Sequence, residues 1–267
     1  MRFSLLIALF SLFITAGVAA QTKVVTGVVL LNEAAMPSFK KITQNLSGKW
    51  TTKVDSLAIN DKTAIFEANN ATVTMAYFDY PDPSDDLLAA CGISWLWKNA
   101  AQSAINHKAQ LVISIIGEER RALEMYMLFT RCAAAALEST GGIGVFMNSQ
   151  YLVLEKGYYL TAAAGLLKQQ SVPLYCWVYF GIMEKDGVSG GYTYGMSEFG
   201  SPELEVHSKE ATMEELHNLL FEVARESVTA RRPWKNGDMY TTGTGDKVTL
   251  RSATGTYLEG QVLEVKW

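Results

Sequence analysis

Glu203, Glu205 and His207 stand at alternate positions of a segment whose intervening residues, Leu204 and Val206, are apolar. On a β-strand, alternate side chains share a face, so this spacing sets two carboxylates and an imidazole side by side while the apolar pair turns to a core. Such a set could ligate a divalent metal, and either carboxylate could serve as a general base. The same alternation is also what any strand with a solvated acidic face displays, so by itself it predicts neither a metal centre nor a cofactor. These three residues are the catalytic and metal-ligating candidates.

Four further residues are candidates for binding. Trp95 and Trp97 straddle Leu96 ahead of His107. Exposed, the pair would form an interaction hot spot or a stacking platform; buried, it is core. Arg131 is the singular charge in the apolar stretch from Met125 to Leu137. A guanidinium in so apolar a helix needs a carboxylate or carbonyl partner, and beside an open pocket it would hold an anion. Gly187-Val188-Ser189-Gly190-Gly191 fits the Gly-x-Ser-x-Gly pattern of a nucleophile elbow, but a Tyr-Thr-Tyr strand follows where an elbow needs a helix. Gly243-Thr244-Gly245-Asp246-Lys247 lacks the spacer and ending of a phosphate-binding loop and reads as a turn.

The elements that must position these residues are legible in outline. An apolar strand from Val24 to Leu31 precedes a helix opened by Pro37, with Met36, Phe39, Ile42 and Leu46 on one face. Strands at Thr63–Ala68 and Thr72–Tyr80 meet at the Asn69-Asn70 turn. A helix from Asn99 to His107 and a strand from Leu111 to Ile116 complete β-α-β-β-α-β, the order of a split β-α-β, ferredoxin-like unit with both helices on one face. Beyond it come an alanine-rich helix from Arg120 to Ser139, a strand from Ile143 to Met147 and a helix from Tyr158 to Gln169. A hairpin of Leu174–Met183 with Tyr192–Met196, its first strand apolar on both faces and central, is followed by a helix over Met213–Thr229 and strands at Val248–Arg251 and Thr256–Lys266. The expectation is one α+β domain over 21–267, with mixed or antiparallel sheets and packed helices, or two fused lobes over 21–148 and 149–267.

Met1 and Arg2 precede an apolar run from Leu5 to Ile14 that ends at Val18-Ala19-Ala20. This is the layout of a signal peptide over residues 1–20, giving a mature chain from Gln21 in the periplasm or outside the cell. The run is marginal for a spanning helix, and no second span follows. Removing the leader leaves 22 basic against 27 acidic residues, a formal charge of −5, without the basic patch that nucleic acid requires. The chain is 49% hydrophobic with 6 Pro, enough apolar content for a substantial core. Cys91, Cys132 and Cys176 allow at most one internal disulfide.

Several blocks, in order, resemble the family known as domain of unknown function 4261. They are Cys91 with Trp95-Leu96-Trp97, Ala101, His107 and Ala109; Thr130-Arg131 with Gly144-Val145; Pro173-Leu174 through Trp177-Val178, Gly187, Thr193 and Gly195 to Phe199-Gly200-Ser201-Pro202-Glu203-Leu204-Glu205; and Asn236-Gly237-Asp238. The resemblance covers most of the chain after Leu87 and implies no activity. Lys98 stands where similar sequences often carry proline, and the leader departs from a mostly cytoplasmic membership. The Phe-Gly-x-Pro-Glu segment is also similar to the suppressor-of-fused-like proteins, several of which look like toxin-neutralising or protein-binding modules.

Without a coherent nucleophile, base and oxyanion set, the expected function is an exported, non-enzymatic module that binds another protein, immunity-like or part of an envelope system, with no cofactor. The alternative is a periplasmic or secreted hydrolase-type enzyme using Glu203, Glu205 and His207, with or without a metal. An exposed apolar patch would favour the first; a concave pocket gathering Glu205, His207, Arg131 or His107 would favour the second.

Overall fold

The computed structural model describes residues 21–267 except Pro83, Gln169, Gln170 and Asp186, so the expected signal peptide at 1–20 lies outside the described residues. The β-branched run at the start becomes β1 (Thr22–Leu31), whose apolar residues from Val28 to Leu31 are buried on both faces because it lies inside a seven-stranded sheet. Its companions are β2 (Asp55–Asn60), β3 (Thr63–Ala68), β4 (Ala71–Phe78), β5 (Ala109–Glu118), β6 (Gly142–Met147) and β7 (Leu152–Glu155), in the spatial order β2-β3-β4-β5-β1-β6-β7. All pairings are antiparallel, with Val28 opposite both Val112 and Phe146. Asn69 and Asn70 both take positive φ, as a two-residue hairpin between β3 and β4 requires.

Helices cover both faces of this sheet. On one lie α1 (Phe39–Gly48) and the alanine-rich α4 (Ala122–Ser139). Gly27 lets α4 approach β1, since a Cβ there would come within 2.5 Å of the Phe129 ring. The carboxylate of Glu138 ties the two helices, accepting from Asn45 Nδ2 at 3.0 Å and Trp50 Nε1 at 3.2 Å and pairing with Lys49. On the opposite face α2 (Asp85–Ile93) and the five-residue α3 (Ala100–Ala104) bury Leu87, Ala90, Cys91 and Trp97 against Val28, Leu30, Phe146 and Val153.

The chain is therefore α+β with mostly antiparallel sheets, as expected, but its first half is not a split β-α-β unit. β5 pairs antiparallel with both β4 and β1, and the helices fall on opposite faces, because β1 is apolar on both sides and each side needs a cover. Met36, expected on the buried face of the first helix, is exposed before its Ser38 N-cap.

A six-stranded sheet follows, formed by β8 (Tyr179–Lys185), β9 (Val188–Tyr194), β10 (Leu204–Ser208), β11 (Met239–Thr241), β12 (Lys247–Thr254) and β13 (Gln261–Lys266). Its order is β11-β12-β13-β10-β9-β8, and β10 with β13 is its one parallel pair. One face is covered by α6 (Met213–Ala230), which starts from a capping box: Thr212 Oγ1 accepts from Glu215 N at 3.2 Å and Glu215 Oε2 accepts from Thr212 N at 2.8 Å. The strand expected over Leu174–Met183 begins only at Tyr179, after a 3₁₀ turn at Leu174–Cys176, and it is an edge strand rather than a central one. The change of sheet also falls later than residue 148, since β7 and α5 (Lys156–Leu167) pack with the first sheet. One hydrophobic core runs through both sheets, and Trp177 joins them, its indole N–H donating to Thr130 Oγ1 of α4 at 2.8 Å.

Candidate functional site

β10 turns Leu204 and Val206 onto α6 and Glu205 and His207 to the other face, as the alternation required. Glu205 is 1% exposed, and three successive backbone amides close on its carboxylate: Thr256 N at 2.8 Å, Tyr257 N at 3.0 Å and Leu258 N at 3.0 Å. These amides belong to the connection between β12 and β13, a concave nest that holds an anion with backbone dipoles. Gly255 makes the approach possible, since a Cβ there would sit 2.1 Å from the Leu258 carbonyl oxygen. His207 Nε2 lies 3.4 Å from Glu205 Oε2, and its ring stacks on Tyr257 at 5.0 Å.

Glu203 does not share that environment. It precedes β10, and its carboxylate accepts from Thr193 Oγ1 at 2.8 Å and from the amides of Gly195, Met196 and Ser197 at 2.9, 3.1 and 3.2 Å, capping the 3₁₀ turn Met196–Phe199. Burial pushes its carboxyl above the ordinary value, and these donors pull it back. Both carboxylates are thus already engaged by the chain's own donors, and ligating a metal or taking a proton would release those donors unpaired. Among the described residues no three His, Cys, Asp or Glu side chains are grouped to hold a metal ion.

The binding candidates separate. Trp97 is buried, its ring over Gly144, whereas Trp95 is 47% exposed. His107 is buried; its Nδ1 is 2.6 Å from the Ala104 carbonyl oxygen, and its Nε2 accepts from Asp82 N at 2.7 Å. Burial lowers its pKa below the ordinary histidine value. Among the described residues Arg131 does not meet the partner its apolar helix called for: its Nε is buried without a hydrogen bond, and burial lowers the pKa of its guanidinium. The Gly-x-Ser-x-Gly segment runs from the turn into β9, so Ser189 sits on a strand. All three cysteines are free and buried, and burial pushes the Cys91 thiol up to about 11 and the other two higher.

Trp95 stands in a site that alternation did not reveal. Together with Ile93, Tyr179, Phe180, Ile182, Met213, Glu214 and His217 it lines an open groove of about 460 Å³. The rings interlock. Trp95 meets Tyr175 at 5.9 Å and His217 at 5.6 Å, both nearly perpendicular, and Tyr175 lies parallel to His217 at 5.7 Å and to Phe221 at 4.6 Å. Tyr175 Oη and His217 Nε2 are 3.2 Å apart, and Tyr179 Oη donates to the Ile93 carbonyl at 3.3 Å. Burial among these rings pushes the Tyr175 and Tyr179 hydroxyls up to about 12. The residues come from the end of α2 and the connection that follows it, β8 and the first two turns of α6. Met213 gave no signal, since it continues the apolar stripe of Leu216, Leu220 and Val223 along α6 and only the fold leaves it exposed.

Residues 192–266 match the family model described as domain of unknown function 4261. The match spans most of the second sheet and α6, with Glu203, Glu205, His207, Glu214 and His217, and is narrower than the coverage from Leu87 onward that the motifs implied. No curated protein and no solved structure matches the chain.

Proposed function

We propose that this chain is an exported protein-binding module that takes an extended polypeptide segment along the free edge of β8, with a side chain of the segment seated in the Trp95 groove. One observation carries the reading: the edge strand of the second sheet and the exposed groove coincide. β8 ends the sheet, so its outward N–H and C=O groups have no strand partner among the described residues, and an added strand would satisfy them. Beside that edge, Ile93, Trp95 and Met213 are 43%, 47% and 49% exposed, apolar surface that an occupant would remove from water. Backbone pairing supplies affinity in this mode, and pockets for alternate side chains supply selectivity. Export rests on the leader. Burial of the three thiols is compatible with an oxidising compartment, since none is presented for exchange.

The test begins with protein recovered from the periplasm or medium, whose first residue is expected to be Gln21. A random peptide display library is panned on it. Enriched peptides should share one register of inward-facing positions, lose about tenfold or more in affinity on Trp95→Ala, and protect β8 amides from hydrogen exchange. Retention of Met1 would remove export from the reading. Enrichment that ignores Trp95→Ala, or no enrichment, would remove the docking edge.

A further inference from the structure

We infer that the groove selects an organic cation: an alkylated ammonium group, presented by the docked polypeptide as a lysine-type side chain. The inference rests on the docking reading above and adds the chemistry that the site recognises. Four rings line the groove, Trp95, Tyr179, Phe180 and His217, with Tyr175 and Phe221 packed behind them. The faces of Trp, Tyr and Phe carry the negative lobes of their quadrupoles, and a cation within about 6 Å of a ring centroid is drawn to them. Among the lining residues Glu214 carries the one formal charge, a carboxylate at the exposed mouth, and no lysine or arginine lines the groove. The cation–π contacts found among the described residues lie elsewhere, at Trp50, Tyr77 and Trp234, and none of them engages Trp95.

Two features could oppose a cation here. The first turn of α6 presents roughly half a positive charge from its amide dipoles. Its capping box already engages two of those donor groups, and Glu214 sets a full negative charge against the remainder. The second is His217, which would repel a cation if protonated. Its Nε2 faces the Tyr175 hydroxyl at 3.2 Å and its Nδ1 faces Asn218 Oδ1, so both ring nitrogens are turned to neighbours of their own chain, and Glu214 sets a negative charge on the same wall. A small anion would meet the Glu214 carboxylate and ring faces, both unfavourable. A neutral aliphatic group would meet the rings but leave Glu214 unused.

The probes are choline and 3,3-dimethylbutan-1-ol, which share shape and differ in charge. They are titrated into the mature protein while the Trp95 indole and His217 ring resonances are followed. Choline should bind about tenfold more tightly than the neutral isostere. Glu214→Gln should cut that margin to about threefold, and Trp95→Ala should abolish the His217 shift; both side chains are exposed, so the variants keep the fold. Equal affinity for the two probes would overturn the cation inference while leaving the docking reading standing. Choline binding that survives Trp95→Ala would place the cation elsewhere and overturn the inference, and so would absence of any shift at concentrations that saturate a millimolar site. Failure of peptide panning alongside choline selectivity would remove the polypeptide and leave the cation site.

Discussion

Three consecutive backbone amides converge on Glu205, and that geometry decides what the side chain does. Glutamine at this position would keep the shape but turn an amide group toward N–H donors and remove the charge. Hydrogen bonds to a buried carboxylate are each worth roughly 1.5–3 kcal/mol, and the donors left behind are part-buried. Glu205→Gln should therefore cost about 2 to 4 kcal/mol in urea unfolding. Gly255→Ala should cost a similar amount, because its Cβ would force the Leu258 carbonyl away and open the same nest. If the two act through one cradle, the double variant costs clearly less than the sum of the singles, whereas additive losses would mean that Gly255 serves the loop for another reason. His207, stacked on Tyr257 at the surface side of the cradle, should lose under about 1 kcal/mol when truncated to alanine.

At the scale of elements, His107 links two connections: the end of α3 through Ala104 and the entry to α2 through Asp82. A proton added at Nε2 would place a donor against the Asp82 N–H. Burial already holds the imidazole below its ordinary value of 6.5, so the unfolded chain takes up this proton at a higher pH than the folded one. The contribution is complete above about pH 6.5 and is lost as pH falls through the depressed folded value. His107→Gln, which keeps one donor and one acceptor but does not titrate, should be less stable than the parent at pH 8, and the gap should narrow by pH 5. A constant or widening gap would show that the imidazole is not held neutral. Elements with a local signature were legible from sequence: the Asn69-Asn70 hairpin, the alanine-rich α4 and the helix that opens at the Thr212–Glu215 box. β2 was not, because all six of its residues are exposed and carry no alternation of burial. The alternation at 203–207 placed Glu205 and His207 on one face correctly. It could not announce that the Thr256 amide, 51 residues on, would already occupy the carboxylate. The groove escaped for the same reason, since its rings come from segments around 95, 179 and 217 that only the fold brings together.

For the whole molecule, the question is whether the two sheets are one cooperative body. A chain of this length often divides, but here the apolar cluster passes without interruption from Val25 and Phe129 through Tyr126, Trp177 and Phe199 to Leu204 and Leu216. Tyr126 meets Phe199 at 4.8 Å and Trp177 at 5.8 Å, and Gln150 donates to its hydroxyl at 2.6 Å, so α4 of the first layer is packed directly on the second. Separating the sheets would expose these rings to water, which favours joint unfolding over stepwise loss. Calorimetry on 21–267 should give one transition whose calorimetric and van't Hoff enthalpies agree. Thr130→Val sharpens the test. It keeps the volume, removes the acceptor of the buried Trp177 indole N–H, and should cost about 1 to 3 kcal/mol. In a single body that loss lowers one midpoint, and amides of β1 and β10 lose protection together. Two transitions, or a Thr130→Val effect confined to one sheet's amides, would mean that the junction is an interface between separately stable units.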